Sequence, residues 1–135
     1  MATPPAARPN AQLAFLKLNV PAMAPALAFW RDAFGFVETG RYDLPQFLET
    51  ILALPGQADS GPQLMLLEPR PARDVAVGPG HGPVGLVVDD IHASFAHALA
   101  AGATAMMAPE DVGGVIVALL ASPQGHEIEL VQPLG

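Results

Sequence analysis

Apolar and polar residues alternate in two short stretches that begin almost the same way. Leu16, Leu18 and Val20 alternate with Phe15, Lys17 and Asn19, the period-two mark of a half-buried strand over 14–20. Met23, Leu27, Trp30 and Phe34 then recur at spacings of four, three and four, which predicts a helix over 22–34. Pro25 lies in its first turn, where a missing N–H costs nothing, and Gly35 is placed to end it. The same order returns 68 residues later, from Val84-Gly85-Leu86-Val87-Val88 to Ile91 and Phe95. Asp89 and Asp90 are candidates to cap this second helix, and Gly102 to stop it.

Each half also closes alike. Leu64-Met65-Leu66-Leu67-Glu68-Pro69 is echoed by Ile128-Glu129-Leu130-Val131-Gln132-Pro133 at an offset of 64. Between these landmarks, 36–41, 46–54 and 63–68 read as strands in the first half, and 83–88, 104–107, 115–121 and 126–132 in the second. Self-similarity at a fixed period points to two copies of one βαβββ unit. The fold class is α+β, with two paired modules forming a cupped, barrel-like mixed sheet. Residues 1–11 read as a tail. Module 1 covers about 12–69, a Pro/Gly-rich linker 70–82, and module 2 about 83–133 of a single domain.

Composition narrows the chemistry. No cysteine is present, which removes disulfides and thiolate sites. No window reaches the length of a membrane span, and 1–10 has no apolar signal core, so a cytoplasmic protein is expected. A net charge of −7 argues against nucleic acid as partner. Gly78, Gly80 and Gly82 lack the lysine and serine of a phosphate loop.

Three segments resemble the vicinal oxygen chelate superfamily of glyoxalase I, bleomycin-resistance proteins and extradiol dioxygenases. Asn19-Val20 with Ala28-Phe29-Trp30-Arg31-Asp32-Ala33-Phe34-Gly35-Phe36 looks like its opening strand and helix. Val87-Val88-Asp89-Asp90-Ile91 looks like the start of its second module, and Ser122-Pro123-Gln124-Gly125-His126-Glu127-Ile128-Glu129-Leu130 like its closing hairpin. The resemblance implies four inward positions, one on the first and one on the last strand of each half, which in metal-using members are His, Gln or Glu. Here they fall on Phe15, Met65, Pro83 and Glu129. Two of these side chains have no donor atom and a thioether is soft. No metal is therefore expected at that position, and no other cofactor.

The reading that follows is a metal-free small-molecule-binding protein, its ligand held in the cup by Phe15, Lys17, Asn19, Met65, Pro83, His81 and Glu129. The ligand is cationic or aromatic, and a homodimer is expected. The alternative is a lyase or isomerase with Glu129 as catalytic base, or with a shifted metal site through His81 and Glu129. The plainer reading of Glu129 is an inert family relic paired with a basic group, and Lys17, on the strand face of Phe15 and Asn19, is the candidate partner. His92, His97 and His126 are expected in solvated or structural roles.

Overall fold

The computed structural model describes residues 13–57, 61–76 and 82–134. The first module runs β1 (Phe15–Asn19), α1 (Met23–Phe34), β2 (Val37–Asp43), β3 (Phe47–Ala53) and β4 (Gln63–Pro69). The second runs β5 (Val84–Val87), α2 (Ile91–Ala100), β6 (Thr104–Asp111), β7 (Val115–Ala121) and β8 (Glu127–Pro133). Each forms a four-stranded sheet with matching order, β1-β4-β3-β2 and β5-β8-β7-β6. The first and last strands of each module pair in parallel, because the helix carries the chain back over the sheet, and the remaining pairs are antiparallel.

One face of each sheet enters a shared core. Leu18, Val20, Leu64, Leu66 and Leu52 contribute from the first sheet, and Ala118, Leu120, Ile128 and Leu130 from the second, around both helices. Trp30, with no exposed surface, anchors this core. Phe29 and Phe36 meet it edge-on at 5.6 and 5.7 Å between ring centroids. The buried side of α1 is Met23, Ala26, Phe29, Trp30 and Ala33, so Leu27 and Phe34 of the expected stripe sit at its margin. The helices touch, and His97 Nε2 in α2 lies 2.8 Å from the carbonyl oxygen of Asp32 in α1.

The helix ends show why the repeat matters. Ala22 at the start of α1 offers no side-chain acceptor, and the Met23 N–H donates instead to Glu68 Oε1 at 2.9 Å. In the second module the Ile91 N–H donates to Gln132 Oε1 at 2.8 Å, while Asp90 accepts from Ala93 N–H. Each closing strand therefore caps its own helix. Gly35 ends α1 at φ 79°, in the left-handed region, with its N–H on the Arg31 carbonyl.

Two boundaries differ from the sequence pattern. Phe36 belongs to the core rather than to β2. β6 runs on past Met107 to Asp111 through Pro109. Two register shifts and the edge position of β6 let the proline sit where no ladder N–H is needed.

Candidate functional site

The faces turned away from the core carry the predicted positions. Lys17 pairs across the sheet with Met65 and Asn19 with Leu67. Beyond β4, Ile51 stands opposite Met65 and Glu49 opposite Leu67, with Tyr42 next to Glu49 on β2. Directly opposed residues share a face, so Lys17, Asn19, Met65, Leu67, Ile51, Glu49 and Tyr42 form one surface. Phe15 joins it, its ring centroid 5.4 Å from Lys17 Nζ. A Cβ on Gly40 would come within 3.2 Å of Ile51 Cδ1, so this glycine makes room for a side chain of that surface.

The charge on this surface is arranged differently from the sequence expectation. Lys17 Nζ lies 2.7 Å from Glu49 Oε2, reaching diagonally over β4. The contact has the distance of an ion pair without the angles of a hydrogen bond. Lys17 is thus the partner of Glu49 and not of Glu129. Sequence reasoning missed Glu49. Its one signal is that Glu49 falls opposite Leu67, on the side of the sheet away from Thr50 and Leu52, which becomes visible only once the strand register is known.

Glu129 occupies the corresponding surface of the second sheet. It lies between Gly85 on β5 and Leu119 on β7, with Met107 next in line on β6 and Val131 two residues on. Ile128 and Leu130 are fully buried on the opposite side, as the strand alternation requires. The carboxylate is half-buried and, among the described residues, has no hydrogen-bond or ion-pair partner. A Cβ added at Gly85 would meet nothing within 4 Å among the described residues, which leaves room at the position paired with Glu129.

Pro83 is exposed and comes close to β1. A crevice of about 400 Å³ is lined by Leu16, Lys17, Leu18, Gly82, Pro83 and Val84, so Lys17 and Pro83 share one wall-to-wall space. His81 lies outside the described residues. A larger hollow of about 510 Å³ at the end of α1 has Arg31, Asp32, Ser94 and His97 at its rim, and none of the sequence-predicted residues line it. His92 and His97 are exposed on α2, and His126 is buried at the start of the closing hairpin.

The donor set at the four inward positions does not suit a divalent ion. Phe15 and Pro83 supply no donor, Met65 a soft thioether, and Glu129 a single carboxylate. Among the described residues no three His, Cys, Asp or Glu come together in a way that would hold one. No helix there is long and apolar enough to cross a membrane.

The fold is shared with several solved structures. Glyoxalase I from Zea mays superposes with a TM-score of 0.77 at 17% identity, covering 91% of this chain and 47% of the maize chain. This chain therefore spans about half the length of that enzyme. The trypanothione-dependent glyoxalase I of Leishmania major gives 0.79 at 18% identity over 91% of this chain and 87% of its own. TioX from Micromonospora gives 0.67 at 22% identity over 92% of this chain and all of its own. At these identities the likeness is one of fold. No curated protein matches the sequence. The family model described as Glyoxalase/Bleomycin resistance protein/Dioxygenase superfamily matches residues 12–130, nearly the whole chain, and the protein belongs to that superfamily.

Proposed function

We propose that this chain is a small-molecule-binding member of its superfamily that works without a metal ion, holding its ligand on the sheet faces turned away from the core. The observation that carries this is Glu129. A half-buried carboxylate among Leu119, Met107 and Val131 is unfavourable unless something pairs with it, and the protein offers no partner among its described residues. The open space beside Gly85 gives a ligand access to that carboxylate. Apolar walls with a few placed polar groups are the ordinary design of a ligand site. Glu129 then accepts a hydrogen bond from an ammonium or amide N–H on the ligand, and the apolar neighbours bury its body.

A homodimer belongs to the same proposal. Val87 is 75% exposed and Leu16 44% exposed, each on an edge strand of its sheet. A second copy would cover apolar surface that otherwise faces water. Phe15, Asn19, Met65 and Pro83 serve as ligand-contacting residues in this reading.

The test is a thermal-shift screen of small aromatic amines and amides, run with and without EDTA on the wild-type protein and on Glu129→Met. Stabilisation that survives EDTA and vanishes in Glu129→Met is the expected result. Ligands that require an added divalent ion would overturn the metal-independent reading, and ligands indifferent to the substitution would remove Glu129 from the site.

A further inference from the structure

Glu49 is 6% exposed although it stands on the open face of its sheet. Its Oε2 is shut off from solvent and, among the described residues, has one charged neighbour, the Lys17 ammonium at 2.7 Å. None of the four positions carried over from the superfamily falls on this strand. We infer that Lys17 and Glu49 form a neutral recognition couple, in which Glu49 positions the Lys17 ammonium to donate a hydrogen bond to an acceptor oxygen on an uncharged, flat ligand. The inference rests on the small-molecule reading and names the chemistry that one face selects.

The two members are unequally accessible, and this assigns their roles. The Lys17 side chain is 37% exposed and that of Glu49 is 7% exposed. A ligand arriving on this face therefore meets the ammonium and not the carboxylate. An ammonium carries three N–H donors, and Glu49 Oε2 takes at most one, which leaves two for a ligand. A lysine on its flexible stem ordinarily loses much freedom on binding. Here Glu49 at 2.7 Å and the Phe15 ring at 5.4 Å hold the head group beforehand, so less is lost when the ligand arrives. Glu49 is thus a positioning residue, and Lys17 the contact.

The charge balance selects an uncharged acceptor. A carboxylate ligand on Lys17 would face Glu49 immediately behind the ammonium, and would approach a chain of net charge −7. A ketone or amide oxygen meets neither penalty. The ligand body is read from the neighbours: Phe15 is 43% exposed, Tyr42 is 53% exposed opposite Glu49, and Met65 stands opposite Lys17. Two exposed rings and a thioether suit a flat aromatic surface. The crevice shared by Lys17 and Pro83 gives that surface an edge to slide into.

Three naphthalene probes of similar size test this. They are 1-ethylnaphthalene with no acceptor, 1-acetonaphthone with a neutral carbonyl, and 1-naphthoate with an anion. Binding is followed by amide shifts of β1, β3 and β4 in two-dimensional NMR, with the wild type, Lys17→Met, Glu49→Gln and the double variant, which removes both charges and guards against a fold lost to an unpaired Glu49. In the wild type, 1-acetonaphthone is expected to bind about tenfold more tightly than 1-ethylnaphthalene, the scale of one charge-assisted hydrogen bond. Lys17→Met and the double variant should erase that preference, and Glu49→Gln should shift it towards 1-naphthoate. A merely structural ion pair would not produce that inversion. Equal binding of the ethyl and acetyl probes to the wild type would overturn the inference and leave the small-molecule reading standing. Failure of all three probes to shift this face would overturn both for this surface.

Discussion

Glu68 Oε1 accepts the backbone N–H of Met23 at 2.9 Å, joining the last strand of the first module to the first turn of its helix. Gln132 does the same for Ile91 at 2.8 Å in the second module. The first N–H groups of a helix have no partner within it, and Ala22 provides none for α1. The equivalence also says which property of residue 68 matters, because Gln132 does the work without a charge.

Glu68→Ala is accordingly expected to lower the unfolding free energy by about 1 kcal/mol, the usual cost of losing a helix cap. Glu68→Gln should stay within about 0.5 kcal/mol of the wild type, the range of a neutral surface change. Urea denaturation followed by circular dichroism measures both. A Gln variant as weak as the Ala variant would show that charge on the helix dipole, and not the hydrogen bond, is what counts.

The Lys17–Glu49 pair should be non-additive. Lys17→Met leaves a buried carboxylate uncompensated and is expected to cost about 1–3 kcal/mol, the penalty for an unsatisfied buried group. Adding Glu49→Gln to Lys17→Met should recover part of that loss. A double-mutant cycle in urea gives the coupling, and additivity within about 0.5 kcal/mol would mean the two side chains do not interact in solution.

How much of this was legible in the chain follows from what each feature depends on. The repeat, both helices and the alternation that turns Ile128 and Leu130 inward rest on local periodicity, and the pattern matched them. The inward orientation of Ala26 and Ala33 is hidden because alanine carries little hydrophobic signal, and with those two positions silent the stripe is drawn through Leu27 and Phe34 and passes beside Phe29. The extension of β6 through Pro109 depends on an edge position that only the sheet order reveals. Glu49 was invisible for a related reason: Lys17 and Glu49 meet across an intervening strand, 32 positions apart in sequence, and no spacing rule reaches that far. Lys17 pairs with Glu49 rather than Glu129 because Glu49 shares its sheet and face, whereas Glu129 stands on the other sheet.

The assembly is open to a direct measurement. With Val87 and Leu16 exposed on the edge strands β5 and β1, a dimer is expected at micromolar concentration. Light scattering after size exclusion should give twice the chain mass of 14.0 kDa. Val87→Lys should shift the equilibrium towards the single chain, and a wild-type protein already at the single-chain mass would refute the dimer.

The last prediction separates a useful Glu129 from an inert one. If the carboxylate is a relic, replacing it by the Met found at the matching place in the first module should leave stability unchanged or raise it, because an unpaired polar group leaves an apolar neighbourhood of Leu119, Met107 and Val131. That gain alone does not identify a function, since a ligand-binding carboxylate in an empty site is equally strained. The discriminating variant is Gly85→Leu, which keeps Glu129 and fills the open space beside it. It touches no atom of the carboxylate's chemistry. If ligands reach Glu129 over Gly85, Gly85→Leu should weaken their binding about as much as Glu129→Met does, while the melting temperature follows only the change in buried apolar surface. Ligand affinity unchanged in Gly85→Leu but lost in Glu129→Met would place the approach on another side of the strand. Affinity unchanged in both would leave Glu129 without a role in binding.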